Sequence, residues 1–233
     1  GLVVTDWGAA NDRVKGLIAG QDLEMPSSGT VNDSKVEAAV KDGSLPVEYV
    51  DRAVRRLLEL REKLHAAGEA EPVSYEKNHR IAEEIAEECI VLLKNEDKVL
   101  PLKAEDKVVV IGEFAEKPRF QGGGSSHINT TFLGKPLEEL KKLGNVEYVK
   151  GFACAAEECD ANLLAEAVEA ASRADKVVIC AGLPEVYETE GMDREHLNIP
   201  GAQIRLIEEV AKHNKNIIVV LSNGAPVVMP FEP

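Results

Sequence analysis

GLVVTDWG, residues Gly1–Gly8, is the stretch around which this chain is organised. The apolar run Leu2–Val4 is rich in β-branched side chains and lies between glycines, which predicts a short strand buried on both faces. Thr5, Asp6 and Trp7 follow it. A carboxylate at the carboxyl end of a buried parallel strand is held rigidly yet stays reachable, and active sites of α/β proteins form there. Asp6 is therefore a candidate catalytic residue, although an aspartate can also simply cap the turn or helix that follows.

A second apolar run, Val177–Ala181, leads into an acidic loop that contains YETEGMDR, Tyr187–Arg194. The carboxylates of this loop are Glu185, Glu188, Glu190 and Asp193. Together with Asp6 they offer the two carboxyl groups that glycoside hydrolysis needs. One is ionised and attacks the anomeric carbon of the sugar, and the other is protonated and assists the departing oxygen.

With both loops in view, the chain resembles family 3 of the glycoside hydrolases, in the form of a bacterial two-domain β-glucosidase. TDWG resembles the nucleophile motif of that family, and EGMDR, Glu190–Arg194, resembles its acid/base motif. Other stretches resemble the family in the same order, namely GQDLEMP (Gly20–Pro26), ECIVLLKNED (Glu88–Asp97) with LPL (Leu100–Leu102), and QGGGSS (Gln121–Ser126). Each motif alone is weak, but their shared order along nearly the whole chain is specific.

The resemblance implies an α/β fold in two parts. Residues 1–65 would be the last portion of a TIM-type (β/α)8 barrel that carries the nucleophile, and residues 66–106 a linker and a connecting helix. Residues 107–233 would form an αβα sandwich with a mostly parallel sheet, carrying the acid/base and truncated at its C-terminus. A closed barrel takes about 250 residues, so the upstream barrel portion is expected as a separate chain or a missing segment.

The activity implied is that of a retaining, exo-acting β-glucosidase, which removes terminal β-D-glucosyl residues from β-glucosides or cello-oligosaccharides by double displacement. Asp6 would be the nucleophile. Glu190 is preferred over Glu188 as acid/base because the family's proton donor directly precedes the glycine. Their carboxyl groups should then lie about 5 to 5.5 Å apart. Asp6 should stay ionised, while the pKa of Glu190 should be raised.

The residues expected to bind substrate are Trp7, Gln121, Gly123, Ser125 and Arg194. Each also has a purely structural alternative. Trp7 could stack on a sugar ring or fill a core space, the glycine-rich loop could be a flexible connection, and Arg194 could hold its loop by pairing with Asp193 or with neighbours. The loop matches neither GxGxxG nor GxxxxGK[ST], so a phosphate cradle is disfavoured.

Composition limits the partners. Lys and Arg number 27 against 41 Asp and Glu, which gives a net charge of −14 and an isoelectric point near 4.9. This balance disfavours nucleic acid and anionic membranes, and it suits a neutral sugar. The four cysteines and the histidines show no metal-ligand spacing, so we expect no metal and no cofactor. Cysteines in apolar runs favour a reducing, cytoplasmic location. No run is long enough to span a bilayer, and exposed barrel edges would favour a homo-oligomer or a companion chain.

From residue 107 onward, strand-like and helix-like stretches alternate, which predicts parallel strands joined by right-handed crossovers. The expected strands are Asp22–Met25, Val108–Ile111, Val146–Val149, Val177–Ala181, Ile217–Leu221 and an edge strand at Pro226–Met229. The expected helices are Asn11–Ala19, Asn32–Lys41 capped by Asn32, Val47–Leu64 after Pro46, Tyr75–Asn95, Gly134–Leu143, Ala161–Ala174 and Gly201–His213. Two alternatives to the enzyme stay open, a nucleotide-binding α/β domain and a fragment that binds sugar without cutting it.

Overall fold

The structure, a computed structural model, describes residues 1–232. The chain divides into two compact units, one spanning Gly1–Ser74 and the other beginning at Tyr75. Both units alternate extended segments with helices. No helix within residues 1–232 is both long enough and apolar enough to cross a membrane.

The first unit pairs its two extended segments in parallel. Val4 and Leu23 form a parallel bridge, and Thr5 N–H donates to Leu23 O at 3.0 Å. The strands predicted at Leu2–Val4 and Asp22–Met25 are thus reduced to one bridge, and Val3 is 51% exposed. The reason is that, in the part of the chain that the structure describes, each segment has the other as its only paired neighbour, whereas burial on both faces needs a complete sheet.

The helices of the first unit are α1 (Arg13–Ala19), α2 (Thr30–Asp42) and α3 (Val47–Ala66). They pack around a small hydrophobic core formed by Leu17, Ala39, Leu45 and Ala53. The predicted cap at Asn32 is wrong, because α2 begins after Gly29. Asn32 N–H instead donates to Ser28 Oγ at 3.2 Å, and the Asn32 side chain donates to Glu24 Oε1. Pro46 directly precedes α3, as its fixed φ favours.

The second unit is built on a four-stranded parallel sheet. The strands are β1 (Val108–Ile111), β2 (Val146–Val149), β3 (Lys176–Gly182) and β4 (Ile217–Ser222), in the spatial order β2-β1-β3-β4. The helices are α4 (Tyr75–Cys89), α5 (Pro136–Lys141), α6 (Ala161–Arg173) and α7 (Gly201–His213). The predicted α/β class with a parallel sheet is confirmed.

Both faces of this sheet are covered, which explains its continuous apolar strands. Alternate residues such as Val109, Ile111 and Ile179 pack on one face with the small side chains of α6 and with Leu206 and Val210 of α7. Val108, Val110 and Val178 pack on the other face with Phe114 and Leu137. Because the pairings of β1 with β2 and β3 are in register, the carboxyl ends of the strands form one edge.

Several predicted elements of the second unit are shorter than expected, among them α5, which spans Pro136–Lys141 rather than Gly134–Leu143. Helix α4 ends at Cys89 rather than Asn95 and has no buried residue, and the following run Ile90–Leu93 is exposed. The β-branched pair Ile90–Val91 disfavours continuing the helix. The edge strand expected at Pro226–Met229 is a single parallel bridge between Asn198 and Val228.

Candidate active site

Asp6 stands at the end of the bridged segment of the first unit. Its Oδ1 accepts from Trp7 N–H at 2.6 Å, and its carbonyl accepts from Ala9 N–H at 3.1 Å. Helix α1 is capped by Asp12, whose Oδ1 accepts from Lys15 N–H, so Asp6 does not cap that helix. Asp6 is exposed and Trp7 is 74% exposed, which leaves both accessible to a ligand and excludes Trp7 as a core residue of this unit.

A buried carboxylate, which the sequence analysis did not single out, supports the segment that leads to Asp6. Asp22 Oδ2 accepts from Val3 N–H at 2.9 Å, and both Asp22 oxygens accept from Arg56 at 3.1 Å. Burial would raise the pKa of Asp22, but these hydrogen bonds and the charges of Arg56 and Arg52 outweigh it and lower the pKa. The signal in the sequence was an aspartate at the start of the predicted strand Asp22–Met25, where a buried charge needs a partner.

Glu190 lies in the loop after β3 and contacts the glycine-rich loop. Its Oε2 accepts from Ser125 N–H at 2.8 Å, and its N–H donates to Gly123 O at 3.4 Å. Gly123 N–H donates in turn to Glu188 O at 3.0 Å, and Gly123 pairs with Thr189 in a parallel bridge. The structure therefore brings Gly123, Ser125 and Glu190 together, whereas Asp6 and Trp7 belong to the other unit.

The glycines of this loop are needed for the close approach to Glu190. A Cβ at Gly123 would lie 2.2 Å from Thr189 Oγ1. At Gly124, where φ is +84°, a Cβ would lie 2.6 Å from Glu190 Cβ. Any larger residue would push the two loops apart. This contact is a structural reason for the glycines that does not depend on a bound sugar.

The pKa of Glu190 is lowered, contrary to the raised pKa expected of an acid catalyst. Hydrogen bonding from Ser125 stabilises the carboxylate, and this effect exceeds the slight opposing effect of burial. The Glu190 side chain is exposed, so little desolvation opposes ionisation. In this unit as described, Glu190 is a carboxylate at neutral pH.

Glu188, the competing carboxylate of the same loop, is occupied by partners. It forms an ion pair with Arg119, and its two oxygens accept from Gly224 N–H at 3.1 and 3.0 Å. The exposed fractions of the Arg119 and Glu188 side chains are only 12% and 11%. A carboxylate that is buried in an ion pair cannot readily exchange protons with a substrate, so this geometry favours Glu190 over Glu188.

The other predicted binding residues hold their own loops. Arg194 donates from Nη1 to Pro226 O at 3.2 Å and from Nη2 to His196 O at 3.1 Å, so it pairs with neighbouring backbone rather than with Asp193. Gln121 Oε1 accepts from Ile128 N–H at 3.0 Å. The roles of Arg194 and Gln121 in binding substrate stay predictions.

A contact between a histidine and a carboxylate, which the sequence analysis did not foresee, lies at the same edge. His127 Nε2 lies 2.9 Å from Glu185 Oε1, which links the glycine-rich loop to the loop after β3 a second time. The only hint in the sequence was a histidine beside the glycines. Within residues 1–232 no cluster of His, Cys, Asp or Glu has the arrangement of a metal site.

Comparison with known proteins identifies the family. Residues 90–233 match the model of the glycosyl hydrolase family 3 C-terminal domain. The chain belongs to glycosyl hydrolase family 3. It is 49% identical over 237 residues to the thermostable beta-glucosidase B of Acetivibrio thermocellus, covering 99% of this chain and 31% of the relative. It is also 42% identical over 241 residues to an exo-alpha-(1->6)-L-arabinopyranosidase of Bifidobacterium longum, covering 98% of this chain and 32% of that protein.

A solved family 3 structure matches the fold as well. The GH3 beta-glucosidase of Bifidobacterium adolescentis superposes with a TM-score of 0.86 at 43% identity, covering 97% of this chain and 34% of that chain. The resemblance to family 3 seen in the motifs is thus confirmed. The chain spans about a third of the length of these relatives.

Proposed function

We propose that this chain is the part of a retaining, exo-acting β-glucosidase that carries both catalytic carboxylates, Asp6 as nucleophile and Glu190 as acid/base. The observation that carries the proposal is the pairing of Glu190 with Ser125 and Gly123 at the carboxyl edge of the sheet, within a family 3 chain. Asp6 supports it as an exposed carboxylate at the end of a parallel segment. Family membership favours this function over nucleotide binding.

The reaction would proceed in two displacements. In the first, an Asp6 carboxylate oxygen attacks the anomeric carbon, the glycosidic C–O bond breaks, and the Glu190 carboxyl gives its proton to the departing oxygen. In the second, water attacks the same carbon, gives its proton to the Glu190 carboxylate, and Asp6 leaves.

Glu190 needs a different environment to act as the acid. Exposed and hydrogen-bonded to Ser125, its carboxyl group has a lowered pKa. A sugar that excludes water would raise that pKa, because loss of hydration disfavours the carboxylate. We therefore propose that proton donation begins only once substrate is bound.

The substrate is proposed to be a terminal β-D-glucosyl residue of a β-glucoside or cello-oligosaccharide, as the name of the Acetivibrio relative indicates for that protein. Trp7, with its exposed ring, would stack on the sugar, and Gln121, Gly123, Ser125 and Arg194 would contribute polar contacts from the second unit. The arabinopyranosidase relative shows that proteins this similar are named for different sugars, so the choice of sugar is part of the test.

Activity is proposed to need the upstream barrel portion that the sequence predicts, because positioning of the substrate supplies much of catalysis. That portion would come from a longer chain or a companion polypeptide. Formation of a homo-oligomer is the remaining way to cover the exposed edge of the predicted partial barrel. A cytoplasmic location is also proposed. It is supported by Cys180, a free thiol that is buried in the core, where a reducing compartment would keep it.

The test is a chimaera in which residues 1–233 replace the aligned segment of the Acetivibrio β-glucosidase. We expect it to hydrolyse nitrophenyl β-D-glucoside, and Asp6→Asn to reduce kcat by about a thousandfold or more. A fluorinated dinitrophenyl glucoside should label the active chimaera covalently, and peptide mass spectrometry should place the sugar on Asp6. The labelled peptide is decisive, because a label on any other carboxylate would remove Asp6 from its role.

Glu190→Gln distinguishes a loss of proton donation from a general loss of activity caused by a disturbed structure. The variant should lose far more kcat/KM on methyl β-glucoside, whose leaving group needs a proton, than on dinitrophenyl β-glucoside, whose leaving group does not. Glu195→Gln, an exposed carboxylate in the same loop, is the matched control and should leave both values unchanged. Equal losses on the two substrates would argue against Glu190.

A further inference from the structure

The carboxyl edge of the sheet holds a nearly buried ion pair that joins the loops after three strands. Arg119 lies in the loop after β1, Glu188 in the loop after β3, and Gly224 follows β4. The Glu188 carboxylate is the common partner, because it contacts the Arg119 guanidinium and accepts from Gly224 N–H.

Because the pair is nearly buried, removing only one of its two charged side chains should cost stability. With exposed fractions of 12% and 11%, neither charge is well hydrated, so removal of one partner leaves the other without compensation. Arg119 Nε is buried without a hydrogen-bond partner in the described part of the chain, so Glu188 is the group that orients this guanidinium. The pair therefore holds its loops more firmly than an exposed ion pair would.

The same residue connects this pair to Glu190. The carbonyl of Glu188 accepts from Gly123 N–H, while Glu190 N–H donates to Gly123 O and its carboxylate accepts from Ser125 N–H. The segment from Glu188 to Glu190 is thus held on one side by Arg119 and on the other by the glycine-rich loop. A shift of Glu188 would turn the Glu190 side chain away from Ser125.

We propose that the Arg119–Glu188 ion pair is a positioning device that sets the direction of the Glu190 carboxyl group. The proposal rests on the acid/base role given to Glu190 above. Neither Arg119 nor Glu188 contacts the reacting atoms. They act through the Glu190 segment, so their loss changes how Glu190 works.

The first test uses the 233-residue chain and needs no activity. The amide signal of Ser125 in a ¹⁵N–¹H spectrum should follow the titration of Glu190, because the two are hydrogen-bonded. Arg119→Met and Glu188→Gln should both shrink that titration and move its midpoint upward, toward an ordinary glutamate. Lys150→Met, which removes the Lys150–Glu113 ion pair elsewhere on the sheet edge, is the control and should leave it unchanged.

The pair of variants distinguishes position from charge. If Glu190 sensed only nearby charge, loss of Arg119 would raise the midpoint and loss of Glu188 would lower it. Shifts in opposite directions, or an unchanged Ser125 signal, would overturn the proposal. Arg119→Lys keeps the charge and should restore part of the titration, which keeps the test usable if Arg119→Met fails to fold.

The second test asks whether the device matters for catalysis, in the active chimaera. Glu188→Gln should lower kcat/KM for methyl β-glucoside by about tenfold or more, and for dinitrophenyl β-glucoside by less than about twofold. Equal losses on both substrates would overturn the positioning role. If Glu190→Gln itself showed no preference between the substrates, the proposed function would fail, while the Ser125 titration would still decide whether the pair positions Glu190.

Discussion

Some buried side chains in this protein hold the segments that carry the candidate catalytic residues. Asp22 is the clearest example. Its side chain is fully buried, and it joins Val3, next to the segment that ends in Asp6, to Arg56 of α3. Val3, three residues before the catalytic candidate Asp6, is therefore held by a carboxylate that no substrate would touch.

Asp22→Asn should destabilise the first unit by about 2 kcal/mol. The amide can still accept from Val3 N–H, but it no longer neutralises Arg56, whose side chain is 37% exposed and so keeps some hydration. Urea unfolding followed by circular dichroism measures the change. Asp33→Asn, the same substitution at an exposed position of α2, should change stability little, and equal effects of the two variants would contradict the role of burial.

Asp22 also predicts how stability depends on pH. Its pKa is lowered in the folded chain, so the unfolded chain takes up the proton first as pH falls below about 3.9, the usual value for aspartate. The contribution is fully present at neutral pH and is lost as pH falls through the folded pKa. The free energy of unfolding of the wild-type protein should therefore fall as the pH is lowered. In Asp22→Asn this fall should be smaller, because the variant lacks the carboxylate. An identical acid response of both proteins would remove Asp22 as a cause.

Between elements, one polar side chain links helix α7 to the end of β3. Gln203 is fully buried. Its amide accepts from Gly182 N–H at 2.8 Å and donates to Gly182 O at 2.9 Å and to Cys154 O at 2.8 Å. Gly182 is the last residue of β3, so this contact sets the point from which the loop that contains Glu190 leaves the sheet.

Gln203→Leu should therefore destabilise the second unit by about 3 kcal/mol, because the backbone groups of Gly182 and Cys154 would stay buried without partners. Thermal or urea unfolding gives the value. Lys212→Leu, on the exposed side of the same helix, is the control for adding a leucine to α7 and should change stability only slightly. A loss below about 1 kcal/mol for Gln203→Leu would show that the backbone groups of Gly182 and Cys154 find other hydrogen-bond partners in the variant.

Helix α6 depends on the capping residue that precedes it, Asp160. Asp160 accepts from Asn162 N–H at 2.8 Å and from Leu163 N–H at 3.1 Å, which satisfies two otherwise unpaired donors at the helix start. Asp160→Ala should cost about 1 kcal/mol of stability. Glu166→Ala, an exposed position within the same helix, should be close to neutral, and similar losses for both would indicate that charge rather than capping matters.

At the scale of the whole molecule, the chain consists of two units joined by an exposed stretch. Residues 67–74 have no regular structure and are exposed, and α4 has no buried residue. Limited digestion with a glutamate-specific protease should therefore cut first between Ala67 and Cys89, for instance after Glu69. Mass spectrometry of the early fragments tests this, since first cuts inside the sheet of the second unit would contradict the division.

Several elements could be read from local sequence, and others could not. Strands β1 and β2 and helix α7 have the bounds predicted for them, because their apolar pattern and their ends are local properties. Helix α4 and the edge strand were overpredicted, because neither has the packing partners in residues 1–232 that would extend it. Arg119 was missed as the partner of Glu188, since a lone arginine before a glycine-rich loop does not reveal which distant carboxylate it will meet.

The sequence by itself determined the family, the α/β class and the two motifs that carry Asp6 and Glu190, because motif order and hydrophobic periodicity are properties of the chain alone. Only the tertiary structure decided which carboxylate of the acidic loop is exposed and which is paired, and it reversed the expected direction of the Glu190 pKa. Burial and hydrogen bonding depend on which loops meet at the sheet edge, and residues far apart in sequence meet there only after the strands have paired.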